Sequence, residues 1–146
     1  MTTPVSFEIA KLLKEKGFDM PCNNYYTSRG LLNSDGWGDI IYEDGGFSSG
    51  EPERMIRFDY SDFSKRQKEE YYLCPTISEV VMWLYEKHGI WIGVQPISVV
   101  GKFQFRTYYN NKGVMNQHWN ESMSKEFNSP TEAYEDAIEY TLKNLI

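Results

Sequence analysis

Histidine and cysteine are scarce in this 146-residue chain, with two of each, and 15 Lys and Arg are outnumbered by 21 Asp and Glu. Two cysteines cannot build a disulfide framework. Cys22 follows Pro21 and Cys74 precedes Pro75; both read as free thiols of a reducing cytoplasm, with a single Cys22–Cys74 bridge as the alternative. Cys22, Cys74, His88 and His118 are the only soft metal ligands, and no two have zinc-knuckle spacing, so no metal site is expected. A net charge of −6 counts against a general nucleic-acid binder, whose affinity rests on Lys and Arg neutralising phosphates. Long hydrophobic runs are missing as well. Val80–Leu84 and Ile90–Val94 are the longest, far short of a membrane span, and the opening Met-Thr-Thr-Pro-Val-Ser lacks the apolar core of a secretory signal.

Catalytic signatures are equally thin. There is no G-x-S-x-G elbow, and the loop Gly45-Gly46-Phe47-Ser48-Ser49-Gly50 is not followed by the Lys-Ser/Thr of a phosphate loop. The acidic stretch Asp35, Asp39, Glu43, Asp44 lacks the order of a calcium loop. No catalytic residue, metal or cofactor is therefore expected.

What the chain does have is aromatic side chains: eleven Tyr, eight Phe and four Trp, 16% of the residues. Such a chain can bury a core, and intrinsic disorder is excluded. Its length suits one compact domain over residues 1–146, or two lobes, 1–72 and 73–146. In the first half, apolar residues at helical spacing predict a helix over Val5–Lys16, stopped by Gly17. A short strand follows at Cys22–Ser28, then a Gly-rich stretch from Arg29 to Gly50. Asp39–Tyr42 reads as a strand within it, closed by a turn at Glu43–Gly46, and Arg54–Tyr60 reads as another. The charged run Ser64–Glu70 is a solvated segment or short helical turn.

The second half is more regular. Thr76 and Glu79 have capping-box spacing, and Ile77, Val80, Val81, Leu84 and His88 follow as a helical stripe that Gly89 ends. Ile90–Val99 reads as a strand interrupted at Pro96, and Phe103–Tyr109 as a second with Phe103, Phe105, Thr107 and Tyr109 on one face. Asn110-Asn111-Lys112-Gly113 is a hairpin turn, with Asn and Gly supplying positive φ, and Val114–Trp119 is the third strand. Ser129 as N-cap, Pro130 at N1 and Glu132 at N3 open a last helix reaching about Leu145. The fold class is α+β: an antiparallel sheet with helices packed on one face, its C-terminal half α-β-β-β-α.

Three segments carry a resemblance: Phe7-Glu8-Ile9-Ala10-Lys11-Leu12-Leu13-Lys14-Glu15-Lys16-Gly17-Phe18, then Pro75-Thr76 with Trp83–Ile90, and Ser129–Ala137. Together they resemble small uncharacterised proteins of Bacteroidetes phages, prophages and other mobile elements, a group that implies no activity and no catalytic residue. The helix–three-strand–helix order over residues 76–146 is also similar to a double-stranded-RNA-binding domain. The start of its last helix departs from that pattern, carrying Glu132, Glu135, Asp136 and Glu139 where such domains present Lys. Carboxylates suit a helix N-terminus but repel phosphate, so RNA binding there is rejected.

With Phe103 and Phe105 toward the helices, Gln104, Arg106 and Tyr108 fall on the opposite sheet face, together with Trp91 or Trp119. Trp, Tyr and Arg compose interaction hot spots, so these five are the candidate binding residues. The favoured reading of the face itself is that the first half of the chain folds over it and makes the aromatics core, with one edge left open. The favoured reading is a small non-enzymatic module that binds a protein partner through an aromatic and acidic surface. The alternatives are a weak single-strand nucleic-acid binder using Trp91, Lys102, Arg106 and Tyr108, and an enzyme with a cleft beside the Arg29–Gly50 loop.

Overall fold

The computed structural model describes residues 3–33, 57–97 and 101–146. The expected strand at Asp39–Tyr42, the turn after it and the cleft beside the Gly-rich loop lie outside the described residues. The chain divides into two compact units, Pro4–Thr76 and Ile77–Ile146, the latter joined by Met1–Thr3.

The N-terminal unit is built from short pieces. Helix α1 (Phe7–Glu15) is capped by Ser6, whose Oγ accepts from the Ile9 N–H, and it buries Ile9, Ala10 and Leu13. It ends in a Schellman motif: Gly17 takes φ 82°, its N–H donates to the Lys14 carbonyl, and Phe18 N–H donates to the Leu13 carbonyl. Strands β1 (Tyr25–Tyr26), β2 (Leu32–Asn33) and β3 (Tyr72–Leu73) form an antiparallel sheet of order β2-β1-β3. Tyr25 sits opposite both Asn33 and Leu73.

The expected strand over Arg54–Tyr60 is not formed among the described residues 57–60. Phe58 makes a single two-hydrogen-bond bridge to Cys22, and Tyr60–Asp62 turns as a 3₁₀ helix. The reason is local: Asp59 Oδ1 accepts from Ser61 N–H while Asp62 Oδ2 accepts from Asp59 N–H, a reciprocal cap that competes with strand pairing. Ser64–Glu70 becomes a regular helix α2 (Lys65–Glu70), because Ser64 and Gln67 cap each other in the same way.

The core of this unit is aromatic. The Tyr25 ring meets Phe58 at 5.6 Å, Tyr71 at 5.4 Å and Phe63 at 6.5 Å, and Tyr60 stands edge-on to Phe63 at 5.6 Å. Lys14 ties α1 to the end of α2: its Nζ donates to the Lys68 carbonyl and, at 2.9 Å, to that of Tyr71, and it lies 4.5 Å from the Tyr72 ring centre. Burial lowers the pKa of this amine, partly opposed by the charge of Glu69.

The C-terminal unit is α-β-β-β-α, as the sequence pattern predicts. Helix α3 (Ile77–His88) leads through Gly89, at φ 68°, into β4 (Ile90–Pro96), β5 (Phe103–Asn111) and β6 (Val114–His118), and helix α4 (Pro130–Asn144) follows. The three strands pair antiparallel in the order β4-β5-β6. Ile90, Ile92, Phe105 and Thr107 are buried on one sheet face together with Val80, Val81, Trp83 and Leu84 of α3 and Ala133, Ala137, Ile138 and Leu142 of α4. Ser129 Oγ caps α4 by accepting from the Glu132 N–H.

Two details differ from the sequence pattern. In the hairpin, Lys112 (φ 52°) and Gly113 (φ 85°) take the left-handed conformation, and both asparagines stay in β5. A two-residue loop needs positive φ at both central positions to match strand twist, and Asn110 contributes instead through Oδ1, which accepts from Gly113 N–H at 2.9 Å. The third strand also stops one residue early, at His118. Beyond it the chain makes a 3₁₀ turn at Glu121–Ser124 and returns to β5, where Phe127 bridges Phe103.

Among the described residues, two buried polar side chains in this unit have atoms with no hydrogen-bond partner. They are Thr107, through Oγ1, and Asn120, through both Oδ1 and Nδ2. Leaving a buried polar group unpaired costs about 1–3 kcal/mol.

Candidate functional site

The register of the C-terminal sheet decides which expected residues share its outer face. Trp91 stands opposite Tyr108, Gly93 opposite Arg106, and Gln95 opposite Gln104. Across the other side of β5, Tyr108 faces Gln117. Trp91, Tyr108 and Gln117 therefore form one row across three strands, with Gln104 and Arg106 in the rows beside it. The Trp91 indole lies next to Gly93, its Nε1 3.9 Å from where a Cβ on that glycine would stand, an ordinary contact distance.

Arg106 and Gln104 are not open contact groups. Arg106 Nη1 donates to the carbonyls of Phe105 at 3.0 Å and Met123 at 3.3 Å, Nη2 donates to Gln104 Oε1 at 3.4 Å, and Gln104 Nε2 reaches the Ser124 carbonyl at 3.4 Å. Both side chains fasten the 3₁₀ turn Glu121–Ser124 to the sheet. Lys102, the other expected phosphate contact, donates through Nζ to Asn128 Oδ1. Trp119 follows the last paired residue of β6, is 66% exposed, and has no ring contact with Trp91 or Tyr108 among the described residues.

Sequence reasoning missed two participants. Tyr85, in the last turn of α3, meets Trp91 edge-on at 5.7 Å, and both rings are exposed. Met115 is also exposed, and by alternation it shares the face of Gln117. The signal for Met115 was the period of two already used for β5; Tyr85 is placed only by the tight Gly89 connection.

The C-terminal unit also holds an acidic groove of about 550 Å³. It is walled by Glu132, Glu135, Asp136 and Glu139 of α4, with Phe127 and Thr131 completing it. The four carboxylates recur at helical spacing, so they fall on one side of α4. Glu139 pairs with Lys143 at 2.7 Å, and Glu132 Oε2 accepts from the Asn128 N–H. Burial raises the pKa of Asp136; Lys125 opposes that rise and Glu139 adds to it.

Cys22 and Cys74 are buried and form no disulfide, and Cys74 Sγ donates to the Val5 carbonyl at 3.3 Å. Among the described residues no group of three or more His, Cys, Asp or Glu is placed to hold a metal. No helix among them is long and apolar enough to cross a membrane. Compared with protein-family models, with curated proteins and with solved structures, the chain matches none.

Proposed function

We propose that this chain is a non-enzymatic interaction module that binds a basic protein partner through its C-terminal unit. One observation carries the reading. Nine large hydrophobic residues are exposed among those described; seven belong to the C-terminal unit, and only Leu31 and Leu32 to the other. An exposed set that includes Tyr85, Trp91, Met115 and Trp119 has the composition of an interface core, where aromatics and Met are enriched. The acidic groove on α4 supplies the complementary polar chemistry and selects Lys and Arg on the partner.

The resemblance to proteins of mobile elements makes a host protein the natural class of partner. Neither cysteine is in a disulfide, which suits action in a reducing cytoplasm. The arrangement also favours protein over single-stranded nucleic acid, because Lys102 and Arg106 are both hydrogen-bonded within the chain.

The test is capture from source cells with nuclease present, comparing wild type with a Trp91→Ala/Trp119→Ala double variant and a Glu135→Lys/Asp136→Lys variant. The reading expects a stoichiometric protein that the aromatic variant loses and the charge-reversed variant holds more weakly at low salt. A partner retained equally by both variants overturns it, and so does recovery of nucleic acid alone when nuclease is omitted.

A further inference from the structure

The two histidines of the sequence lie 30 positions apart, and the fold brings both to one cleft of about 320 Å³. His88 is the last residue of α3 and His118 the last of β6. Thr107, Tyr109 and Asn110 complete its polar lining, and Ile90 and Leu145 supply the apolar part. The volume falls within the range of small-molecule sites, and a few convergent polar groups on an apolar wall are what such sites show.

Three features define what the cleft recognises. Thr107 is fully buried in its wall, and its Oγ1 makes no hydrogen bond among the described residues. Among the described residues, no Lys or Arg lines the cleft. Its rim holds the C-terminal residue of α3 and the C-cap of α4, so the carbonyl ends of two helices bias it toward positive charge and against anions. The His118 ring is steadied by two tyrosines, Tyr109 at 6.4 Å and Tyr140 at 6.3 Å.

We propose that this cleft binds a small organic amine, whose ammonium group donates to Thr107 Oγ1 and to imidazole nitrogen while its short apolar body rests on Ile90 and Leu145. This site is separate from the outer-face residues of the proposed protein interface.

Benzylamine and benzoate, similar in size and opposite in charge, test it on the full chain by amide chemical-shift titration. Benzylamine is expected to shift the amides of Thr107, Asn110 and His118 saturably, and benzoate is not. Thr107→Val keeps the side-chain shape and removes only the unpaired hydroxyl, so the variant should fold and bind benzylamine about tenfold more weakly. Leu145→Trp, which fills the cleft, should abolish the titration while leaving the remaining spectrum unchanged. Saturation of the same amides by benzoate overturns the proposal. An unchanged benzylamine titration in Thr107→Val or Leu145→Trp does so too, as does the lack of any saturable shift with benzylamine in the wild type.

Discussion

The two units use the same aromatic richness in opposite ways. In Pro4–Thr76 no described aromatic ring is exposed; Phe18, Tyr25, Phe58 and Phe63 are buried, and the others are half-buried around them. In the C-terminal unit Tyr85, Trp91, Tyr109 and Trp119 are exposed, and the core is mainly aliphatic. The difference follows from element length. Two-residue strands and a six-residue helix bury little area each, so large rings in edge-to-face contact must supply the cohesion. Strands of seven and nine residues and helices of twelve and fifteen bury enough Ile, Val, Leu and Ala by periodicity alone. Their rings are left free for surface work.

The contrast can be broken most sharply at Phe58. Truncating Phe58→Ala removes the ring that joins Tyr25 and Phe63, at a cost of about 3–5 kcal/mol in chemical denaturation. Loss of hydrogen-exchange protection in Pro4–Thr76 ahead of α3 and α4 would show that the aromatic cluster holds its own unit.

Tyr60→Phe comes next. The Tyr60 hydroxyl accepts from the buried Leu73 N–H at 2.9 Å, and its loss leaves that donor unpaired at a cost of about 1–3 kcal/mol. The same phenol has a pH signature. Burial raises its pKa above the ordinary tyrosine value, against the lowering effect of the Leu73 hydrogen bond and with smaller raising contributions from Cys22 and Tyr72. An acid whose folded pKa is raised stabilises the fold fully below its unfolded pKa, near 10 for tyrosine, and that stability falls as pH climbs beyond it. Denaturation midpoints should therefore drop in alkali for the wild type, and less steeply for Tyr60→Phe.

In the C-terminal unit the expected effects are smaller and one has the opposite sign. Lys112 holds a left-handed conformation disfavoured for a lysine, so Lys112→Asn should stabilise by about 0.5–1 kcal/mol, read as a raised melting midpoint. Asp136→Asn should stabilise at neutral pH by less than about 0.5 kcal/mol, since the side chain is only half-buried and solvent screens its charge. The sign follows from its raised pKa: the ionised form is penalised in the fold, so the gain should vanish as acid protonates the wild-type carboxyl. Trp119→Ala should change stability least of all, within about 0.5 kcal/mol, while lowering partner capture. A large destabilisation there would mean that Trp119 belongs to the core and would remove the comparison.

The sequence pattern alone determined the helices α1, α3 and α4, the three long strands and the α+β class. Their signals are local and redundant: Ser6, Ser129 and Pro130 at helix starts, Gly17 and Gly89 at helix ends, and alternation along Phe103–Tyr109. The same alternation placed Gln104, Arg106 and Tyr108 on one face, and pairing with β4 put Trp91 beside them. Only the tertiary structure decided which of those residues are free. The carbonyls of Met123 and Ser124 engage Arg106 and Gln104 because the chain returns over β5 after His118, a path that no local pattern encodes. Long-range pairing likewise joined β1 to β3, two-residue segments too short for any periodicity to mark. It also brought His88, Thr107 and His118 to one cleft, since convergence depends on strand register across 30 residues and not on spacing along the chain.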